Sequence, residues 1–313
     1  MRRMIAIYGT AMAGLAIAGF FAAFAPNFIS PTNLMNVLKD ASFLAMISLG
    51  FALALRVGEL DLSVAEIASL AAVVAGWSIH QQWHPLIAIL AAMCVAFGLG
   101  AFNGFGVTRL RVPSLIVTLG TAAIAKGLSY MMTQGVSFVG RWPSGFTDIA
   151  RGSVLGIPNL ILWMALATAI AWVLLAWTRT GAHMIATGEA DEAARLAGVK
   201  TKQIKRLGLI LSGLFAGLAA VLLAANLSSA APNMAADYFL YAIASVLLGM
   251  TMFQPGHPNV FGTVYAAIVL KILGNGLVLM GAPYYLQDMV LGIIIIASVA
   301  FSASALKTAA FKV

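Results

Sequence analysis

Apolar runs of about twenty residues follow one another along almost the whole chain, and none of them carries more than two charged residues. Each is long enough to cross roughly 30 Å of hydrocarbon as a helix. Ten fit, at about 4–25, 34–55, 62–80, 86–108, 112–132, 158–177, 207–227, 238–253, 260–281 and 285–306. Residues that interrupt helices stand between them: Pro26, Pro31, Pro85, Pro158, Pro232, Pro255, Pro258 and Pro283. A soluble fold is excluded, because 62% of the residues are hydrophobic and 9% are charged, against about 25% charged in soluble domains. Lipid removes the need for a polar surface, provided the backbone bonds to itself as helices. The expected fold is all-α: a polytopic membrane protein of about ten transmembrane helices, forming one transmembrane domain over 1–313. The run from Met4 to Ala25 follows Arg2 and Arg3 and resembles a signal peptide. It is too long for a signal core, and Pro26 makes a poor cleavage position, so it reads as a retained first span.

The long polar run from Arg179 to Arg206 breaks this monotony. With the amino terminus inside, thirteen basic residues fall on inner segments and only Arg141 and Arg151 on outer ones. The positive-inside rule therefore places the island and both termini in the cytoplasm. It also accounts for the net charge of +8 without any nucleic-acid partner. Within the island, Glu189, Asp191, Glu192, Ala193, Ala194 and Arg195 read as a short helix, acidic at its start and basic at its end, with Gly198 placed to stop it. The longest outer loop, 133–157, carries Phe138 and Trp142 and reads equally as a plain connection or as a platform for an external partner.

Polar residues inside or beside the apolar runs are candidates for a solute path. Glu59, Asp61 and Ser63, with Glu66 a turn later, occupy the junction of the second and third spans. They suit either helix capping or a broken helix whose backbone lines a cavity. Thr118 lies in Val112-Pro113-Ser114-Leu115-Ile116-Val117-Thr118-Leu119-Gly120-Thr121, where small and hydroxyl residues suit close helix packing or a pore wall. Asn103 and Asn275 each precede a glycine deep in the fourth and ninth runs, positions that would correspond in a five-plus-five repeat. Lys126 and Lys271 fall mid-span and are either functional or snorkelling.

No catalytic set is present. The chain lacks a glycine loop ending in Gly-Lys-Ser/Thr. His80, His84, His183 and His257 lack metal-site spacing, and Cys94 is the single cysteine. The sequence predicts no catalytic residue, no metal and no cofactor on this chain. Any uphill movement must draw on a partner or an ion gradient. A proton-coupled secondary transporter, with Lys126 or Asp61 as relay, is the alternative reading, and a membrane enzyme is a weaker third.

Four motifs in order support a resemblance: Gly58-Glu59-Leu60-Asp61-Leu62-Ser63; Val112 to Thr121; Glu189 to Gly198; and Ser228-Ser229-Ala230-Ala231-Pro232-Asn233 leading to Leu248-Gly249-Met250-Thr251. Together they resemble the permease subunits of bacterial ATP-binding-cassette (ABC) sugar importers of the ribose type, over nearly the whole chain. The resemblance implies a permease domain in the bacterial inner membrane that pairs with a second copy or a sister subunit. Cytoplasmic ABC ATPases would bind ATP and Mg, and a periplasmic or extracellular solute-binding protein would deliver a sugar or polyol. It also implies that Glu189, Asp191, Glu192, Ala193, Ala194, Arg195, Leu196 and Gly198 form the segment coupled to the ATPase. Departures at Ala65 and from Gly249 to Asn259 point to a diverged subgroup.

Overall fold

In a computed structural model of the chain, residues 2–253 and 256–310 are described; Gln254, Pro255 and Lys312 lie outside them. Among the described residues, helices carry almost everything. They are α1 (Arg2–Phe24), α2 (Pro31–Arg56), α3 (Val64–His80), α4 (Pro85–Thr108), α5 (Ser114–Thr133), α6 (Ser144–Arg151), α7 (Asn159–Trp177), α8 (Arg179–Glu189), α9 (Asp191–Leu196), α10 (Thr201–Leu227), α11 (Tyr238–Gly249), α12 (Val260–Leu279) and α13 (Tyr284–Ala310). Six of these, α2, α4, α5, α7, α10 and α12, are long and apolar enough to cross a membrane. Shorter apolar helices lie in α1, α3, α11 and α13. These ten coincide with the ten runs expected from hydropathy, so the chain is a multi-pass membrane protein.

Several interrupting prolines start helices instead of lying within connections. Pro31 and Pro85 occupy the first turns of α2 and α4, where a missing N–H costs nothing. The caps are side chains: Ser30 Oγ accepts from Asn33 N at 3.3 Å, and Asn259 Oδ1 accepts from Gly262 N at 2.6 Å. Asn259 also donates from Nδ2 to Gly249 O (2.9 Å), tying the end of α11 to the start of α12. The expected span 238–253 stops being helical at Gly249, and the turn that follows is held by this asparagine.

Burial separates α2 and α10 from the other long apolar helices, and thirteen of the seventeen residues of the shorter α3 are buried too. Of the long helices' apolar windows, 83% is buried in α2 and 72% in α10, but only 22% in each of α4, α5 and α7. α10 packs along α4, α2 and α3, while α2 packs along α12 and α11. The second helix of each half is thus enclosed by the third and fourth helices of the other half. This exchange fits the five-plus-five reading for spans two to five and seven to ten; α1 and α7 do not share it.

Contact between α4 and α10 relies on a stripe that hydropathy overlooks. Ala88, Ala92, Ala96, Gly100, Gly104 and Thr108 recur at every fourth position and are all buried. With no hydrophobic drive between helices in lipid, such stripes let backbones approach and gain dispersion contacts. A Cβ on Gly213 of α10 would lie 2.5 Å from Ala96 O. We expect Gly213→Ala to cost about 1–3 kcal/mol through overpacking, read as a lowered thermal midpoint in detergent. An unchanged midpoint would show that the two helices can separate freely at this crossing.

The 133–157 loop is more than a connection. Its strand β1 (Phe138–Val139) pairs antiparallel with β4 (Ser229–Ala230), and β2 (Ser153–Val154) pairs antiparallel with β3 (Ile157–Pro158). Phe146 of α6 is fully buried beneath Trp142, and Arg151 Nε donates to Asn226 O at 2.8 Å. The loop is clamped over the ends of α3 and α10 farthest from the polar island.

Candidate functional site

The island folds as two helices, where the sequence predicts one. Thr178 begins α8 by accepting from Gly181 N (2.9 Å) while its hydroxyl donates to Leu174 O at the end of α7 (2.6 Å). Ala190, with φ −155° and ψ 82°, breaks the helix, so Glu189 ends α8 and only Asp191–Leu196 form α9. Gly198 stops α9 as expected, at φ +88°, with its N–H on Arg195 O and that of Val199 on Ala194 O. α8 escapes sequence reading because Arg179–Glu189 has no charge run to announce it, and the face it buries is only Gly181, Met184 and Thr187.

Ion pairs moor α9 to the bundle. Lys205 Nζ on α10 lies 2.9 Å from Asp191 Oδ2 and 3.0 Å from Glu59 Oε1, joining the island to the α2–α3 junction. Burial opposes the charge on Asp191. Hydrogen bonds from Lys205 and Thr201 and the charges of Lys205 and Arg195 outweigh it, holding the carboxyl below its usual pKa. A lowered carboxylate pKa stabilises the contact above the unfolded value, and that stabilisation disappears only as the pH falls through the lowered one. The mooring is therefore complete at neutral pH. Nearby, Arg56 Nη2 lies 3.6 Å from Glu189 Oε1, with His257 Nδ1 3.8 Å from the same oxygen. Gly188 rests directly on the backbone of Arg56.

The opposite side of α9 is open. Ala194 is buried, whereas Glu192, Ala193 and Arg195 are exposed and Leu196 is 80% exposed. Glu192 and Arg195 pair with each other at 3.3 Å. A leucine displayed beside a charge pair, on a rigidly held helix outside the apolar bundle, is a surface suited to a protein partner.

Behind the mooring, the junction 57–63 is not helical, and Val57, Glu59, Asp61 and Ser63 are buried in it while Gly58 and Leu60 reach the surface. Its backbone must find partners there, and the candidate residues supply them. Thr118 Oγ1 accepts from Leu62 N (3.1 Å), and Ser114 Oγ from Leu60 N (3.2 Å). Asp61 Oδ1 accepts from Ser63 N and from Ser63 Oγ, while Asn103 Nδ2 donates to Ser63 Oγ at 2.8 Å. Asp61, Ser63 and Asn103, scattered in the sequence, are thus bonded to one another, and Thr118 holds the backbone of the same junction, while the Glu59 side chain pairs with Lys205 instead. Asp61 Oδ2 and Asn103 Oδ1 keep unused acceptor capacity inside it. Gly120 stays outside the cluster, and a Cβ there would meet nothing within 4 Å.

Asn275 is elsewhere. It exchanges hydrogen bonds with Asn33 at 2.9 and 3.0 Å, near the ends of α12 and α2 remote from the island. Lys126 is exposed on α5, with its charge within reach of Glu66. Lys271 lies over the rings of Tyr238 and Tyr241, 4.8 and 5.5 Å from their centroids.

Known proteins share this layout in sequence. A family model described as branched-chain amino acid transport system / permease component matches residues 33–299. The ribose import permease protein of Escherichia coli (strain K12) is 32% identical over 292 residues, covering 91% of this chain and 90% of its own. From the same organism, the D-allose transport system permease protein is 31% identical over 295 residues (94% and 90%). The L-arabinose transport system permease protein is 31% identical over 281 residues (90% and 85%).

Proposed function

Because the chain belongs to this family of transport permease components, whose members are non-catalytic membrane subunits, we propose that it is the membrane-spanning half of a binding-protein-dependent ABC importer for a sugar or related polyol. ATP and Mg are bound by a cytoplasmic ATPase partner, a soluble protein outside delivers the solute, and a second permease copy completes the pore. The chain resides in the bacterial inner membrane with the island and both termini cytoplasmic. The basic-residue asymmetry supports this orientation.

The observation carrying the reading is α9, moored by Asp191 and Ala194 and presenting Glu192, Ala193, Arg195 and Leu196 outward. In this reading the ATPase grips that face, and Lys205 passes its displacement to Glu59 and hence to α3 and α5. The cluster of Asp61, Ser63, Asn103 and Thr118 makes the junction move as a unit, and Asn275 belongs to the solute path. Sugar is favoured over an amino acid because the three relatives compared above are named for ribose, D-allose and L-arabinose.

Affinity purification from native membranes tests this. The unaltered chain is expected to bring down an ATPase and a soluble binding protein. Reversing both charges, Glu192→Lys with Arg195→Glu, is expected to cut ATPase recovery about tenfold with normal insertion. Unchanged recovery would exclude α9 as the grip. A chain isolated alone that moves solute on a proton gradient would replace the importer by a secondary transporter.

A further inference from the structure

Lys271 and Asp40 stand where charge is costly. Asp40 is nine residues into α2, and Lys271 is eight residues short of the end of α12. Both positions therefore lie about 12–14 Å below the bundle end remote from the island. Charged side chains at such depth are expensive in lipid, by about 2.5–3.5 kcal/mol, and face protein or water instead. Two adjoining cavities meet there, of about 290 and 790 Å³, sharing Tyr241, Lys271 and Gln287. Asp40 and Asn275 line the first, and Asp237 and Asp288 line the second.

Asn275 is engaged with Asn33, but other polar capacity in this space is unspent. Among the described residues, no carboxylate lies within 4 Å of Lys271 Nζ, and neither Lys271, Asp40 nor Gln287 makes a hydrogen bond to the protein. The tyrosine rings steady the ammonium without neutralising it. A structural ion pair would close on itself, whereas these groups line one shared space. Ammonium and amide donors stand opposite carboxylate and amide acceptors, the pattern that recognises several hydroxyls on one small molecule.

We propose that this cavity, lined by Asp40, Tyr241, Lys271, Asn275 and Gln287, is where the permease receives a neutral polyhydroxylated solute from the side opposite the island. The proposal rests on the sugar-importer reading and assigns it a place. Asp40, exposed on the single chain, then faces the water of the path instead of lipid.

The test uses the complete transporter purified from native membranes and reconstituted with its binding protein, offered radiolabelled D-ribose, D-allose and L-arabinose. Lys271→Met is expected to cut uptake at least about tenfold, with Lys271→Arg and Gln287→Ala intermediate, while hydrolysis stimulated by the binding protein stays within about twofold. Uptake close to that of the unaltered complex, or an equal fall in uptake and stimulated hydrolysis, would overturn the proposal. A second measurement avoids dependence on transport. In a Cys94→Ser background, Asp40→Cys is expected to react with a membrane-impermeant thiol reagent added on the side opposite the island, and more slowly with transported sugar present. No reaction from that side would refute a wetted cavity. A complex that moves a branched-chain amino acid and none of the three sugars would overturn the sugar reading itself, and with it the solute class assigned here. Continued labelling of Asp40→Cys would then leave only the water-filled cavity standing.

Discussion

Replacing Lys205 with methionine is expected to reduce solute uptake at least about tenfold while ATP hydrolysis by the assembled complex continues. Its ammonium touches both Glu59, whose side chain is only 8% exposed, and Asp191. Its removal leaves a buried carboxylate uncompensated, facing a second one across the gap. Losing one member of a fully buried pair costs about 3–5 kcal/mol, and the wetter Asp191 side lowers this to about 2 kcal/mol. The island would then stay attached through α8 but no longer push on the α2–α3 junction. Lys205→Arg keeps the charge and is expected to retain most transport. Adding Glu59→Gln to the methionine variant is expected to recover stability without recovering uptake, because the buried charge is gone and the bridge is still absent. Paired measurements of uptake and hydrolysis in proteoliposomes decide the matter. Full uptake in the methionine variant would mean that displacement reaches the bundle by another route.

Gly188→Val is expected to be more severe, abolishing uptake and sharply lowering the yield of monodisperse protein. A Cβ at this position would stand 2.1 Å from Arg56 O and 2.9 Å from Arg56 C. Both are main-chain atoms that cannot rotate aside, so α8 must lift off the end of α2, taking Glu189 from Arg56. Gly98→Ala provides the contrast, since nothing lies within 4 Å of a Cβ there. It is expected to express and transport like the unaltered chain. Normal uptake by Gly188→Val would show that the island does not need its close seat on α2.

The fold class and the number of apolar helices were legible because membrane insertion imposes a length on each segment, and a length can be read from one sequence. α9 and its stop at Gly198 were legible for a similar reason, through local charge order and a residue tolerant of positive φ. Gly188 was not, since its need for a hydrogen side chain arises from Arg56, more than a hundred positions earlier. The same holds for the cavity. Lys271 was visible as an anomaly, but nothing local joins it to Asp40, Tyr241 or Gln287. The stripe from Ala88 to Thr108 was readable as a four-residue rhythm, although hydropathy alone passes over alanine and glycine. Glu59, Asp61, Ser63, Asn103 and Thr118 were each noticeable as polar residues in an apolar setting. The role of Thr118 and Asn103 in satisfying the non-helical segment 57–63 emerges only when the fourth and fifth spans are brought against it, and that of Glu59 only when Lys205 reaches it.

The enclosure of α2 by helices of the other half bears on how the chain is made. The main partner of α2, α10, begins at Thr201, some 145 residues after α2 ends at Arg56. At about 5–20 residues per second, the ribosome needs roughly ten to thirty seconds to deliver it. During that interval the first half is in the bilayer with its central helix, including Asp40, unprotected by its final neighbours. A newborn intermediate of this kind depends on the insertion machinery to shield it, and quality-control proteases have their best opportunity before α10 arrives.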